Sequence, residues 1–312
     1  MIVALVVLVR VVLVPVTVRQ IHSMQNLQGQ ADAEQLHIEA LPGAPVSTHG
    51  LQGAQLSLHW NAQGGQFQLR IEQGGWVSWP NLELAEGRLE VRQLQAEGRW
   101  QLHDRQLSSV QGKAQINNDD LQGQVQAQWQ SVDPESPGSL DLQAMVGRAR
   151  ANQIHRYLPV SLPENVRHYV RDSIRAGTIH NLQVRVKGDL DKVPMPRVKD
   201  GEFRFAGHVQ DVDMAYVPKE FLPDTGHSWP VLQGLQGELV FERQGMRLSG
   251  ASARLGEGRQ AVQLQQLRAE IPDLTQDAKL DVQADLKGPA QQILRTLQQS
   301  PVDQMLSGAL SH

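Results

Sequence analysis

Residues 121–146, LQGQVQAQWQSVDPESPGSLDLQAMV, carry the pattern that decides the fold. Val125, Ala127 and Trp129 alternate with glutamine, and Leu140, Leu142 and Ala144 alternate in the same way after the intervening turn. A period of two residues is typical of β-strands with one apolar and one solvated face. Asp133-Pro134-Glu135-Ser136-Pro137-Gly138 between the two runs predicts a turn that joins antiparallel strands.

The same alternation occurs on both sides of this stretch. Further runs with this period are Leu56, Leu58, Trp60; Phe67, Leu69, Ile71; Leu182, Val184, Val186; Phe203, Phe205; Leu239, Phe241; Met246, Leu248; and Leu280, Val282, Ala284, Leu286. No strict repeat of fixed period is present, which argues against a propeller or solenoid. The sequence therefore predicts a mainly β protein built from a long antiparallel sheet.

Three stretches depart from this pattern and predict short helices. Residues 161–177, SLPENVRHYVRDSIRAG, place Ser161 and Glu164 in capping-box spacing and end at Gly177. A shorter helical stretch runs from Asn152 to Tyr157, and a third helix follows Gly288-Pro289. We expect these helices to decorate the sheet.

Composition excludes several classes of function. The 312 residues contain 29 Lys and Arg against 33 Asp and Glu, a net charge of −4, so binding to nucleic-acid phosphates is not expected. The absence of cysteine excludes disulfides, thiolate zinc sites and cysteine nucleophiles. No His-Glu-x-x-His run, Walker loop, Gly-x-Gly-x-x-Gly or Gly-x-Ser-x-Gly motif is present. We therefore expect no enzyme, with no catalytic residue, cofactor or metal site.

Residues 1–20 contain an apolar run, Ile2–Val18, interrupted by Arg10, Pro15 and Thr17. As a helix it would be about 25 Å long, slightly less than the roughly 30 Å hydrocarbon core of a bilayer. Three interpretations remain open: a membrane anchor, a buried valine-rich strand, or a start that does not belong to a complete natural chain. Arg19 after the run would place the body in the cytoplasm under the positive-inside rule.

The apolar faces of the strands need a cover, and two covers fit the sequence. A second layer would make a β-sandwich, whereas an open, curled sheet would leave a trough for acyl chains, each buried methylene contributing about 0.8 kcal/mol. Few aromatic residues, 4% of the chain, are available to fill a closed interior. The pattern itself does not separate the two cases.

An ordered series of short motifs resembles the YhdP branch of the AsmA-like proteins. The motifs are Arg156-Tyr157-Leu158-Pro159; Leu162-Pro163; the helix end Ile174-Arg175-Ala176-Gly177; the strand and turn at 182–190; Gly201-Glu202-Phe203; Asp213-Met214-Ala215-Tyr216; Trp229-Pro230-Val231-Leu232-Gln233-Gly234-Leu235; and the helix between Gly288-Pro289 and Ser300-Pro301. The resemblance covers residues 140–301 well and residues 36–140 in strand style only. No single motif is diagnostic, but their order is fairly specific.

The resemblance implies a taco-like β-groove that carries phospholipids between the inner and outer membranes of a Gram-negative envelope, supporting the outer-membrane barrier. It implies an inner-membrane anchor, a periplasmic body and phospholipid acyl chains as partners, and it allows other envelope proteins that extend the groove. Family members are several times longer, which implies a fragment or a short relative. The alternative from another class is a structural or interaction β-sandwich of the periplasm without lipid cargo.

These interpretations divide the chain into five segments. They are an N-terminal anchor over 1–20, a β segment over 34–147, a helical insertion over 148–180, a YhdP-like β segment with its terminal helix over 181–301, and a tail over 302–312. The strand pattern nominates eight lipid-contacting residues: Leu182, Val184, Val186, Phe203, Phe205, Leu280, Val282 and Ala284.

Overall fold

The computed structural model describes residues 29–38, 50–78, 88–133, 135–158, 162–216, 231–256, 261–276 and 279–298. The expectations for residues 1–20, Ser161, Trp229-Pro230 and the 302–312 tail lie outside these ranges. Within the described ranges, we find no helix with the length and apolar character needed to cross a bilayer.

The described residues contain fourteen β-strands and two α-helices. The strands are β1 (Gly29–Ile38), β2 (Gly50–Asn61), β3 (Gly64–Ser78), β4 (Leu89–Val91), β5 (Gln93–His103), β6 (Gln106–Asn117), β7 (Leu121–Gln130), β8 (Ser139–Arg150), β9 (Ile174–Asp189), β10 (Gly201–Met214), β11 (Leu232–Glu242), β12 (Gly245–Leu255), β13 (Val262–Ile271) and β14 (Asp281–Lys287). The helices are α1 (Glu164–Ser173) and α2 (Ala290–Gln298), with 3₁₀ turns at Ala151–Tyr157, Leu190–Lys192 and Val198–Asp200.

The strands pair in chain order in one antiparallel sheet, with β4 paired to β3 beside the main path. Several neighbouring strands are joined by tight hairpins, because an antiparallel neighbour needs only a short turn. Between β5 and β6, for example, Asp104 and Arg105 both have positive φ, 50° and 63°, the conformation of a type I′ turn. The mainly β class and the antiparallel sheet with a few short helices are confirmed.

The helix predictions are confirmed in position, but both predicted ends of α1 are wrong. The N-cap is Pro163, without a side-chain cap, rather than Ser161. α1 ends at Ser173, four residues before the predicted stop at Gly177, and β9 begins at Ile174. Gly177 instead lies within β9 with φ 109°, where a Cβ would meet Val212 at 2.6 Å. This glycine permits close approach between two backbones, which the sequence pattern did not separate from a helix stop.

Residues group into two compact units. Unit 1 comprises Met1–Gly147, Arg156–Ser161 and Gln183–Arg204, and unit 2 comprises Arg148–His155, Leu162–Leu182 and Phe205–His312. Each unit has its own hydrophobic cluster. Strands β8, β9 and β10 contribute residues to both units.

Candidate functional site

One face of the unit 1 sheet is apolar in continuous rows that cross several strands. The pairing register aligns Leu56, Leu69, Ala96, Ala114 and Val125 across β2, β3, β5, β6 and β7. Two further rows lie beside it on the same face. The second row is Leu58, Phe67, Gly98, Gly112 and Ala127, and the third row is Trp60, Gly65, Trp100, Val110 and Trp129. We call these three rows the apolar face.

Aromatic side chains on the apolar face lie over glycines of neighbouring strands. A Cβ added to Gly98 would stand 2.8 Å from Cε1 of Phe67, and one added to Gly65 would clash with the indole of Trp100. Gly138 is covered in the same way by Trp129, whose Nε1 would be 2.6 Å from an added Cβ. The glycines therefore let large rings lie flat on the sheet rather than stand away from it.

Part of the apolar face is buried in the structure: Phe67 is 2% exposed, Leu69 is 3% exposed and Trp100 is 7% exposed. Leu56, Trp60, Ala114 and Trp129 are partly buried. The residues pack together in one hydrophobic cluster of unit 1. A ligand that binds this face would therefore have to displace the atoms that now cover it.

The opposite face of the unit 1 sheet is rich in glutamine and charged groups, and it is concave. Two open cavities of about 740 and 780 Å³ lie on it, lined mainly by polar residues. Adjacent side chains bond across the strands: Lys113 pairs with Glu97 at 2.9 Å, and Gln126 Nε2 donates to Gln143 Oε1 at 3.1 Å. This polar face lacks the apolar lining that an acyl chain requires.

A charged cluster lies on strands β8, β9 and β10 within unit 1. Arg185 donates hydrogen bonds to the carboxylate of Asp141 and to the carbonyl oxygen of Leu142, the latter at 3.1 Å. Its Nε lies 3.5 Å from Glu202. The hydrogen bond from Arg185 lowers the pKa of Asp141, and the same bond raises the pKa of Arg185. These groups tie neighbouring strands together, and each has an opposite charge beside it.

The motif Arg156-Tyr157 closes a partly buried polar cluster against the turn between β6 and β7. Arg156 Nη1 donates to Asp120 Oδ2 at 2.5 Å, and Tyr157 Oη donates to the same oxygen at 3.2 Å. Asn118 Nδ2 donates to Tyr157 Oη at 2.9 Å, and Asn118 Oδ1 accepts from the backbone N–H of Leu121 at 2.8 Å. Burial raises the pKa of Tyr157, which keeps its hydroxyl protonated. We call Asn118, Asp120, Arg156 and Tyr157 the turn cluster.

Unit 2 has a separate aliphatic core, with Leu248, Ala251, Leu264 and Leu267 among its buried members. α1 is fixed in this unit by a hydrogen bond from Tyr169 Oη to the carbonyl oxygen of Tyr216 at 2.9 Å. The backbone N–H of Ala215 donates to Ser173 at 2.8 Å. The aromatic residues of these motifs therefore hold a helix to a strand end.

The eight residues nominated by the strand pattern fall into different environments. Val184 and Val186 are buried, whereas Leu182, Phe203, Phe205 and Leu280 are partly exposed. Val282 and Ala284 are exposed on β14, with Val282 at 52%. Their role as lipid contacts stays a prediction. Sequence reasoning missed the turn cluster, although Asn117-Asn118-Asp119-Asp120 is a turn signature that indicates where half of it lies.

Comparison with known protein families adds the decisive observation, since the family described as YhdP protein matches residues 13–312. The chain belongs to the YhdP family. Neither the curated proteins nor the solved structures contain a match to it. The suspected resemblance is therefore confirmed over a longer range than the motifs alone covered.

YhdP membership indicates an AsmA-like protein associated with the cell envelope. The YhdP family consists of non-enzymatic envelope proteins. The motif Arg156-Tyr157, which carried the resemblance, now has a structural role in the turn cluster. In this YhdP protein, at least those two motif residues serve packing and hydrogen bonding.

Proposed function

We propose that this chain is a lipid-conducting segment of the envelope whose apolar face contacts the acyl chains of phospholipids. On this proposal the chain acts between the inner and outer membranes, with an inner-membrane anchor, a periplasmic body and other envelope proteins that extend the path. The observation that carries the proposal is the apolar face, whose rows run without a charged, amide or hydroxyl side chain from β2 to β7.

The chemistry of these rows suits a hydrocarbon guest. In the first two rows, Leu, Val, Ala, Gly and Phe offer no hydrogen-bonding side chain, so contact with an acyl chain would not depend on its position along those rows. Each methylene removed from water would contribute about 0.8 kcal/mol. The rings that lie flat over Gly65 and Gly98 keep the surface smooth. Family membership supports the same proposal at the level of an AsmA-like envelope protein.

A second candidate function follows from burial. Ile71 and Leu142 are fully buried, as expected for the core of a structural or interaction module that holds no cargo. In that case the apolar face is sealed by protein, and it contributes only to folding. The two functions differ in whether lipid reaches this face.

Photo-crosslinking at adjacent residues separates the two candidates. A photoreactive amino acid is placed at Val184 and, in a matched variant, at Gln183, because neighbouring residues of a strand point to opposite faces. The same comparison is made between Val282 and Gln283. Val282 is already 52% exposed, so this site accepts the bulky probe without loss of packing. The variants are purified from a bacterial host without detergent.

Lipid conduction predicts phospholipid adducts at Val184 and Val282, with little labelling at the two glutamines. Native mass spectrometry of the unmodified chain should then show copurified phospholipid. Equal labelling within both pairs would contradict the assignment of Val184 and Val282 to lipid-contacting positions. Lipid-free protein with no adduct at any of the four sites would favour the structural module.

A further inference from the structure

β14 is the last strand of the described sheet, and no described strand pairs with its outer edge. Its one strand neighbour among the described residues is β13. All seven of its residues, DVQADLK, are exposed, and Val282 and Leu286 retain 52% and 40% of their surface. Such an edge presents unpaired backbone N–H and C=O groups to a further strand.

The apolar residues of β14 continue rows that are buried on the preceding strands. The register places Val282 beside Ala269, which in turn pairs with Leu248, and it places Leu286 beside Leu264. Leu248 and Leu264 are each 8% exposed, so the rows lose their cover at β14. An occupant of this edge must therefore supply both strand hydrogen bonds and apolar side chains on the same face.

We propose that the occupant is β14 of a second copy of this chain, paired antiparallel across a two-fold axis at Ala284. The sequence of β14 is complementary to itself in that arrangement. Asp281 faces Lys287 of the other copy, Val282 faces Leu286, and Gln283 faces Asp285. Opposite charges therefore meet at both ends, and apolar residues meet between them.

Other registers are less favourable. A shift of two residues places Asp281 opposite Asp285 in one direction, or Asp285 opposite its own copy in the other. A shift of one residue turns the apolar face of one copy toward the polar face of the other. Parallel pairing in register places like charges side by side along the whole strand. The antiparallel register centred on Ala284 avoids all three conflicts.

The charges on β14 are available for this pairing. None of the ion pairs among the described residues includes Asp281, Asp285 or Lys287.

The interruption of regular pairing between β13 and β14 falls between Gln265 and Arg268, where Gln266 has φ 50°. About six to eight backbone hydrogen bonds would form across the new edge. The interface is small, so the dimer is expected to be weak and to depend on protein concentration.

Cysteine crosslinking in the full chain tests the register. The chain has no cysteine, so Ala284→Cys introduces a single thiol on the two-fold axis. The two Cα atoms would be about 4.5–5.5 Å apart, within the range that a disulfide spans. In the matched Asp281→Cys control, the two copies of residue 281 would be separated by roughly 20 Å, and no disulfide can form between them. A mixture of the Asp281→Cys and Lys287→Cys chains should crosslink to each other.

Charge exchange tests the same register without a covalent bond. Asp281→Lys places two lysines opposite each other at both ends of the pair, and the dissociation constant measured by sedimentation should rise about fivefold or more. Adding Lys287→Asp restores opposite charges and should restore the dimer.

The proposal is overturned if Ala284→Cys yields no more disulfide dimer than Asp281→Cys under mild oxidation. Failure of the double charge exchange to recover the dimer would reject this register. A chain that sediments as a 34.6 kDa monomer at all concentrations tested would equally reject it, as expected if another segment of the same chain occupies the edge. The outcome does not depend on lipid binding, because neither assay measures it.

Discussion

Removing the carboxylate of Asp120 should destabilise unit 1 because it leaves the guanidinium of Arg156 without its partner. The Asp120 side chain is 6% exposed and the Arg156 side chain is 20% exposed. Breaking a fully buried ion pair costs about 3–5 kcal/mol, but the remaining exposure of Arg156 lets water solvate part of its charge. We therefore expect Asp120→Ala to lower the free energy of unfolding by about 2–3 kcal/mol.

Asp119 provides a matched control in the same turn. It pairs with Arg92 at 2.5 Å, but its side chain is 69% exposed and that of Arg92 is 67% exposed. Exposed pairs of this kind contribute about 0–1 kcal/mol, so Asp119→Ala should have a small effect. Tyr157→Phe keeps the ion pair but removes the hydroxyl, so it should lower the free energy of unfolding by about 1 kcal/mol.

The assay is urea unfolding followed by tryptophan fluorescence, to which Trp100 and Trp129 contribute from unit 1. The double variant Asp120→Ala, Arg156→Ala should be more stable than the sum of the single effects predicts, because it leaves no unpaired charge. If Asp120→Ala costs no more than Asp119→Ala, or if the two single effects simply add, the turn cluster does not stabilise the sheet in this way.

Three further predictions concern other parts of the sheet. Gly201→Ala should lower the free energy of unfolding by about 2 kcal/mol or more, since φ is 136° and the new Cβ would collide with the backbone. Gly147→Ala should be nearly neutral, because the nearest atom is 4.0 Å from the added Cβ. Thermal unfolding compares the two variants. Trp100→Ala should lower the free energy of unfolding, measured in urea, by about 3–5 kcal/mol. Val132 is 65% exposed, so Val132→Ala should lower it by less than about 0.5 kcal/mol. Asp141→Asn should reduce stability at pH 7 by less than about 1 kcal/mol, because that side chain is 43% exposed. Because the pKa of Asp141 is lowered in the folded state, the stability difference between the wild type and Asp141→Asn should be present at pH values above the unfolded-state pKa of Asp141. It should disappear as the pH falls through the folded-state pKa. A stability difference that persists in acid would contradict the ion pair as its origin.

The strand pattern could be predicted because alternation is a local property. Val125 and Ala127 are buried as their spacing indicates, and the glutamines on either side of each are exposed. The same logic failed at the end of α1, where Gly177 follows an amphipathic stretch and resembles a helix stop. Its actual environment depends on Val212, which is distant in sequence and comes close only through the sheet.

The turn cluster and the glycine contacts could not be predicted for a related reason. Asp120 and Arg156 are 36 residues apart, and Phe67 reaches Gly98 only after β3 and β5 pair in one particular register. Periodicity indicates which face a residue occupies, but not which residue of another strand lies beside it. The covering of the apolar face has the same non-local origin, so composition alone did not separate a sealed interior from an open one.

In unit 2, the exposure of an aliphatic side chain depends more on where its strand lies in the sheet than on which residue it is. Leu264 and Leu286 are identical residues, paired with each other on one face, yet they are 8% and 40% exposed. The difference arises because β13 has strands on both sides, whereas β14 has one described neighbour. An apolar row therefore stays protected only as far as the next strand continues it. Any polypeptide that extends this sheet by one strand must offer Leu286 and Val282 an apolar surface. A purely polar strand would pair with the backbone of β14 but leave these two side chains in water.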